Sequence, residues 1–370
     1  VSFDVSVWEL FWWPFAGASV VLLAPGAEKE PAQILAAVKQ HRVTHMHFVP
    51  TMLDAFLNDL ELTQEAIGDA VLRIVFTSGE ALTMHQSNRF FALIGQPQGS
   101  RLVNLYGPTE ATVDVTWYEC VVDDPKTSVP IGRPIQNTQI YIIDKHGKPT
   151  AIGVPGELCI GGVNLARGYL NRAELTAEKF CQLALPTPRR VYRSGDLVRW
   201  LADGQIEYLG RIDHQVKIRG YRIELGEIES AMLRCPGITD IRVIPRSRED
   251  CSRYLAAYAV TNAGYNEAAV RQQLLSNLPE FMVPPFIVEV ESFPLTPNGK
   301  LDRGRLPDPY TLMASRRKTP PRNAVEQTLA NIWSEVLGVK DPCIHDNFFS
   351  LGGDSISFLA IISHARKAGL

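Results

Sequence analysis

Apolar and polar residues alternate with two different periods along the first hundred residues. Stretches in which apolar residues recur every three to four positions predict helices, and short apolar runs between turn residues predict strands. The predicted elements are a helix at 31–41, a strand at 43–49, a helix at 51–60, a strand at 72–77, a helix at 83–94 and a strand at 102–105. Such alternation is typical of a parallel sheet with crossover helices, so we predict an α/β core.

The carboxyl ends of three predicted strands carry polar or glycine-containing turns. These turns lie at 47–51, 78–80 and 106–110. In open α/β sheets, ligands bind beyond the carboxyl ends of the strands. We therefore expect the active site at this edge of the sheet.

The pattern changes after residue 128 and again near residue 213. Short β-rich segments at 139–143, 156–160 and 206–209, separated by glycine and proline turns, predict a barrel-like subdomain. A compact α+β lid domain is predicted next, from a hairpin at 215–223, a helix from Gly226, strands at 238–244 and 254–260, a helix at 267–277 and a strand at 286–290.

The last part of the chain is predicted to be a linker followed by helices. Residues 307–321 are rich in proline and basic residues and lack apolar periodicity. Asn323 and Glu326 have the spacing of a capping box, and the helix they begin ends at Gly338. The predicted division is a core at 1–212, with its β-rich part at 128–212, a lid at 213–306, a linker at 307–321 and the start of an all-α bundle at 322–370.

An uncharged run at 10–27 has the length of a membrane span. Pro14, Gly17 and Pro25 interrupt it, and no basic residues flank it, so we do not interpret it as a span. We expect a buried helix followed by a core strand at 19–23, and no membrane partner.

The amino-acid composition limits the classes of binding partner that we expect. The chain has 37 basic and 40 acidic residues, a net charge of -3, and no basic block of the kind that binds nucleic acid. Its six cysteines are scattered without a CxxC pair, which is typical of reduced thiols in a cytoplasmic protein. We therefore expect small molecules and neighbouring protein domains as partners, and no nucleic acid.

Ser355 stands where a glycine turn meets an apolar-striped helix. Asp354 can cap that helix, which puts Ser355 in its first turn. The positive end of a helix suits a phosphodiester, so a phosphate-linked group on this serine is chemically reasonable. From these residues alone, an ordinary capped helix start remains the alternative.

The run 346–356 resembles the phosphopantetheine attachment motif of peptidyl carrier domains. The rest of the chain resembles the adenylation domain of nonribosomal peptide synthetases, in the adenylate-forming superfamily. This resemblance rests on motifs in the expected order at 3–6, 104–110, 156–162, 166–170, 192–197, 210–220, 278–284 and 298–303.

Two departures from the family pattern stand out. The family's upstream phosphate loop is absent, and Ser194 stands where threonine is commoner. The chain also begins at Val1 without methionine and stops at Leu370, so we expect a fragment with a partial core and a truncated carrier domain.

The resemblance implies ATP and Mg²⁺ as ligands of the core. Glu110 would hold the magnesium, Thr109 would bind a phosphate oxygen, and Lys300 would be the catalytic lysine of adenylation. Asp213 would be the hinge about which the lid turns between half-reactions. The implied nucleotide contacts are Gly79, Tyr106, Asp196, Tyr208 and Arg211.

The resemblance also implies an amino acid pocket in which Asp4 pairs with the substrate ammonium group. Its other wall positions are Val5, Trp8, His47, Phe76, Ser78, Leu105, Val113 and Asp114, with Lys300 at the mouth. Bulky rings limit the volume of such a pocket, and polar groups at its end can distinguish a hydroxyl. The set resembles that of serine-activating domains, with threonine as the runner-up.

The implied function is adenylation of serine, followed by thioester loading onto 4'-phosphopantetheine on Ser355. Its further partners would be a phosphopantetheinyl transferase and neighbouring condensation and epimerisation domains, the last suggested by Asp354 in the carrier motif. The pathway would be antibiotic or siderophore biosynthesis. Two alternatives remain open, an acyl-CoA or aryl acid ligase of the same superfamily and a non-catalytic binding fragment.

Overall fold

The computed structural model describes residues 3–68, 72–183, 189–212, 215–218, 220–247, 253–295, 301–309, 319–339, 341–344, 346, 348, 351, 353 and 355–370. It divides into two compact units, Val1–His214 and Gln215–Leu370, and each is described by itself.

The first unit contains a five-stranded sheet in the order β1-β2-β3-β4-β5. Its strands are β1 His45–Phe48, β2 Ile74–Thr77, β3 Arg101–Tyr106, β4 Thr116–Glu119 and β5 Arg133–Pro134. The first three strands are parallel, as the sequence predicts, and the last two are antiparallel. The helices of this part are α1 Ser6–Phe15, α2 Pro31–His41, α3 Pro50–Thr63, α4 Met84–Phe90 and α5 Gln96–Gln98.

Local sequence explains where the crossover helices begin and end. Proline occupies the first turn of both α2 and α3, where its missing N–H costs nothing. Thr83 and Gln86 form a capping box at the start of α4. The predicted helix at 83–94 leaves α geometry after Phe90 and continues as a π-helical turn over Phe91–Gly95.

The prediction for residues 10–27 was wrong. No residue of α1 is buried, no strand forms at 19–23, and side chains such as Phe11, Phe15 and Leu22 are exposed. An apolar run becomes a core strand only where other elements pair with it and cover it, and among the described elements none pairs with this run. Within the described residues, no helix is long and apolar enough to cross a membrane.

A second, antiparallel sheet follows in the same unit. It is built from β6 Thr138–Ile143, β7 Gly156–Gly162, β8 Phe180–Leu183, β9 Arg189–Trp200 and β10 Ile206–Arg211, and α6 Ala173–Lys179 precedes β8. The order is β10-β9-β7-β6, with β8 also paired to β9.

The barrel-like expectation for 128–212 was wrong, because this sheet stays open. The twelve-residue strand β9 pairs with β7 along one edge, and its other edge is shared by β8 at its beginning and β10 at its end. Both β8 and β10 therefore lie along the same edge of β9, and the sheet does not close into a barrel.

The second unit begins with a hairpin and a three-stranded sheet. The hairpin is β11 Val216–Ile218 with β12 Tyr221–Ile223, and the sheet is β13 Ile238–Ser247, β14 Arg253–Thr261 and β15 Phe286–Glu289. Helices α7 Leu225–Leu233 and α8 Glu267–Asn277 belong to this part. Ile228, Met232 and Ile241 are fully buried in its core. The predicted α+β lid fold is confirmed.

The end of the second unit is helical, as predicted for a carrier. Helix α9 Ala324–Leu337 begins where the Asn323 side chain accepts a hydrogen bond from the Glu326 backbone N–H at 2.9 Å. The Glu326 carboxylate bonds the N–H of Arg322 rather than that of Asn323, so only half of the capping box forms as expected. Helix α10 Ser355–Lys367 begins at the predicted attachment residue, and Asp354 lies outside the described residues.

Candidate functional site

A buried carboxylate joins the two sheets of the first unit at the end of β3. The Tyr106 hydroxyl donates a hydrogen bond to Asp196 Oδ2, and Arg211 Nη1 donates to Asp196 Oδ1 at 3.1 Å. Asp196 and Arg211 are register partners on β9 and β10. The structure therefore brings together three of the five predicted nucleotide contacts.

Burial keeps the Tyr106 hydroxyl of this cluster protonated. The pKa of Tyr106 is raised well above its ordinary value, first by burial and then by the neighbouring Asp196 carboxylate. Tyr106 therefore keeps its proton and remains a donor. The side chains of Asp196 and Arg211 are only 8% and 13% exposed, so their ion pair is less weakened by solvent than a surface pair.

Ser194 holds the backbone of Asp196 in place. Its hydroxyl donates to the Leu158 carbonyl at 2.8 Å and accepts from the Asp196 N–H at 3.0 Å. Both bonds need only a hydroxyl oxygen and its proton. Serine therefore does here what threonine would do, and the departure from the family pattern is chemically neutral.

The two other predicted nucleotide residues lie near this cluster in the fold. Tyr208 packs against the core cluster that contains Tyr106. Gly79 follows β2, the neighbour of β3, with φ of 87°, a conformation that favours glycine.

The turn after β3 places Glu110. It lies in a 3₁₀ turn at Thr109–Ala111, is 7% exposed, and accepts a hydrogen bond from the Tyr169 hydroxyl at 2.7 Å. Thr109 is exposed beside it. A Cβ on Gly107 would lie 2.0 Å from the Val113 carbonyl oxygen, so the close return of this turn requires glycine.

The same turn carries backbone strain. Thr112 and Val113 have φ of 57° and 70°, which side chains with a branched Cβ rarely adopt. Hydrogen bonds between Asn164 and the turn hold it, one from Thr112 Oγ1 to the Asn164 carbonyl at 2.7 Å and one from Asn164 Nδ2 to the Ala111 carbonyl at 3.0 Å. Strain held in this way is common at functional sites.

A buried glutamate oriented by a tyrosine fits a magnesium site. Mg²⁺ prefers hard oxygen ligands and is usually held by one or two carboxylates together with substrate phosphates. Among the described residues, no group of three metal-ligating side chains is present.

Aromatic side chains of the predicted amino acid pocket pack together where α1 meets β1 and β2. His47 and Phe76 are register partners, and the Trp8 ring lies edge-on to both, with centroid distances of 5.5 and 5.4 Å. Asp4 lies about one helical turn before Trp8. Asp4 Oδ2 and Trp8 Nε1 are shielded from solvent and have no hydrogen-bond partner among the residues that the structure describes.

Three polar side chains beside these rings form a hydrogen-bonded row. His47 Nε2 lies 2.8 Å from Ser78 Oγ, and His47 Nδ1 lies 3.2 Å from Glu9 Oε1. Ser78 is 2% exposed.

The remaining predicted pocket residues lie around the ends of the same elements. Val5 is buried just before α1. Leu105 lies on β3, two residues after Val103, and Val103 is the register partner of Phe76. Val113 and Asp114 are half-buried after the strained turn.

Three predicted residues have no described side chain. Lys300 and Asp213 lie outside the described residues, and so does the side chain of Ser355. The expected approach of Lys300 to Glu110 by rotation about Asp213 stays a prediction.

Tyr169, Ser194 and Glu9 were missed as site residues by reasoning from sequence. Tyr169 lies in the quoted motif 166–170, and Ser194 was noted only as a departure from the family. Glu9 directly follows Trp8, which was the signal available for it. Each contacts a predicted site residue in the structure.

Comparison with protein families gives three matches along the chain. They are "AMP-binding enzyme" at residues 1–170, "AMP-binding enzyme C-terminal domain" at 227–300 and "Phosphopantetheine attachment site" at 327–370.

Individual relatives are similar over most of this chain. One of the proteins that make up the mycosubtilin synthase of Bacillus subtilis is 48% identical over 373 residues, which cover 100% of this chain and 14% of that protein. The chain therefore spans only a small part of this relative. The holo form of PA1221, a nonribosomal peptide synthetase protein containing adenylation and PCP domains, matches 92% of this chain and 55% of its own, with 30% identity and a TM-score of 0.75. The match to the Vibrio cholerae adenylation domain AlmE, in complex with glycyl-adenosine-5'-phosphate, covers 85% of this chain and 58% of AlmE, with 28% identity and a TM-score of 0.70.

Replacing Tyr106 by phenylalanine tests the cluster around Asp196. We expect the free energy of unfolding at pH 7 to fall by about 1–3 kcal/mol, because a buried carboxylate loses a donor. In the folded protein the raised pKa of Tyr106 gives stability that is fully present below about pH 10 and is lost as the pH rises further. The alkaline loss of stability should therefore be shallower in Tyr106→Phe.

Denaturant titrations at pH 7 and at several more alkaline values, above about pH 10, measure both effects. Tyr141→Phe, at a half-buried tyrosine of β6, is the matched control. Unchanged stability at pH 7 together with an unchanged alkaline slope would contradict the role given to Tyr106.

Proposed function

This chain belongs to the AMP-binding enzymes, with an adenylation core, its C-terminal domain and a carrier domain in nonribosomal peptide synthetase order, and we propose that it activates serine. The seryl group would then be loaded onto the carrier part of the same chain. The observation that carries this proposal is a shielded Asp4 oxygen, without a hydrogen-bond partner among the described residues, on the element that also packs Trp8 against the hydrogen-bonded His47–Ser78 pair.

Asp4 accounts for the choice of an amino acid. A shielded carboxylate oxygen without a donor is costly until a cation arrives. The substrate ammonium supplies that cation, and a carboxylic acid without an amine does not. The pocket thus rejects plain acids by leaving Asp4 unpaired.

The far end of the pocket accounts for serine. Trp8 and Phe76 restrict the volume, while the His47–Ser78 pair offers a hydrogen bond to a short hydroxyl side chain. Alanine would offer no hydrogen-bond donor to the Ser78 oxygen, and a site built to bond a hydroxyl discriminates strongly against such a side chain. Threonine adds a methyl group beside the rings and is the second choice.

The nucleotide would lie on the opposite side of β3. Asp196 would accept hydrogen bonds from the ribose hydroxyls, with Arg211 and Tyr106 holding its orientation. Tyr106 would offer a flat face to the adenine, the backbone near Gly79 would approach it closely, and Tyr208 would pack beneath the Arg211 contact. The aminoacyl adenylate named for AlmE, which matches 85% of this chain, supports this assignment.

The adenylation step needs charge neutralised at the α-phosphate. The substrate carboxylate attacks that phosphorus, the bond to the bridging oxygen breaks, and pyrophosphate leaves with the electron pair. Glu110, held by Tyr169, would hold Mg²⁺, which supplies positive charge to the phosphate oxygens. Thr109 would bind a phosphate oxygen, and Lys300 would bridge the carboxylate and the α-phosphate after rotation about Asp213.

The carrier part would receive the product. Phosphopantetheine on Ser355, at the start of α10, would supply the thiol that accepts the seryl group. The holo form named for PA1221 supports this assignment. We further propose a phosphopantetheinyl transferase and neighbouring condensation and epimerisation domains as partners, in a cytoplasmic pathway to an antibiotic or siderophore.

Removing the charge of Asp4 tests amino acid selection. In the full synthetase chain, Asp4→Asn should lower kcat/KM for serine by about 100-fold in ATP–pyrophosphate exchange, since an ammonium loses its buried partner. Exchange with 3-hydroxypropionate, which lacks the amine, should not fall.

The matched control is Asp123→Asn, at an exposed position with φ of 54° where asparagine is well tolerated. Preference of the wild-type chain for an acid without an amine would overturn the proposal in favour of an acyl or aryl acid ligase.

Replacing Ser355 by alanine separates the two half-reactions. After treatment with a phosphopantetheinyl transferase, ATP and serine, the wild-type chain should gain one phosphopantetheine arm and one seryl group in its mass spectrum. Ser355→Ala should gain neither, while its pyrophosphate exchange stays within about twofold of wild type. A seryl thioester on the variant would disprove the attachment site.

A further inference from the structure

Glu9, His47 and Ser78 form a continuous hydrogen-bonded row from solvent into the pocket. The side chains of Glu9 and His47 are 43% and 7% exposed. Ser78, taken as a whole residue, is 2% exposed. The imidazole is bonded on both sides, to Glu9 through Nδ1 at 3.2 Å and to Ser78 through Nε2 at 2.8 Å. The Trp8 ring lies edge-on to the imidazole at an interplanar angle of 78° and fixes its position.

With His47 as a neutral imidazole, donor counting assigns the protons in this row. An ionised carboxylate only accepts hydrogen bonds, so Nδ1 of His47 must carry a proton to bond Glu9. In a neutral imidazole the other nitrogen is then an acceptor. Ser78 therefore donates its hydroxyl proton to Nε2.

This arrangement gives the end of the pocket a definite polarity. The one hydroxyl proton of Ser78 is used by His47, so the Ser78 oxygen presents lone pairs to the pocket. A substrate side chain that reaches Ser78 must donate a hydrogen bond. A serine hydroxyl donates, whereas a methyl group or a carbon–fluorine bond does not.

We propose that Glu9 is a positioning residue that fixes the His47 tautomer and so makes Ser78 an acceptor for the substrate hydroxyl. This inference rests on the proposed function, because it deepens the account of how serine is distinguished from alanine. Glu9 acts through His47 and touches no reacting atom.

Replacing Glu9 by glutamine tests the inference. An amide can either donate to or accept from Nδ1, so the tautomer is no longer fixed. In the full synthetase chain, we expect the KM for serine to rise about tenfold, kcat to stay within about twofold, and alanine kinetics to be unchanged. Glu9→Asp keeps a carboxylate and should retain most of the preference for serine over alanine.

Glu28→Gln is the matched control, since it removes the same charge from an exposed glutamate outside the pocket. An unchanged serine-to-alanine ratio in Glu9→Gln would overturn the inference. That outcome includes equal losses for the two substrates. Equal effects of Glu9→Gln and Glu9→Asp would also overturn the inference, because either result would mean that Glu9 only supports the fold.

A substrate analogue provides a second test that needs no variant. In the wild-type chain, 3-fluoroalanine nearly matches serine in size but cannot donate, so it should be activated no better than alanine. Activation of 3-fluoroalanine as efficient as that of serine would overturn the inference while leaving the proposed function intact. Failure of the wild-type chain to activate serine would instead overturn both.

Discussion

A carboxylate removed from water must be matched by donors or by a cation, and this constraint organises the strand ends of the first unit. Asp196 is matched within the protein by Tyr106 and Arg211, and Glu110 receives a hydrogen bond from Tyr169. Asp4 differs, because its shielded oxygen, Oδ2, has no donor among the described residues. The matched carboxylates build a frame, and under the proposed function the substrate ammonium would pair with the unmatched one.

The end of β3 explains how an amino acid and a nucleotide could bind close together. Successive residues of a strand point to opposite faces, so Leu105 and Tyr106 serve different sides of the sheet. Tyr106 belongs to the core shared with the second sheet, while Leu105 continues the row that runs through Val103 beside Phe76. An amino acid on one side and a nucleotide on the other would thus converge at the glycine turn that carries Glu110.

Local sequence was enough to predict elements whose ends are marked by specific residues. Helix α2 begins at Pro31 and α8 follows the capping Asn266, and both have the predicted bounds. The open second sheet was not predictable, because it depends on β9 being long enough to pair with two strands along one edge. The exposed run at 10–27 was misjudged because burial depends on which elements cover a segment. Tyr106 and Asp196 are ninety positions apart, so only the family resemblance pointed to both. Glu9 could be recognised as a site residue only from the structure, which brings it beside His47.

The measurement that tests the central claim most directly is a calorimetric comparison of two ligands on the full synthetase chain. One is a non-hydrolysable seryl adenylate analogue, and the other is the same analogue without its amine. If Asp4 is the carboxylate that the substrate must complete, the amine should tighten binding by about 100-fold or more. Equal affinities would contradict the account.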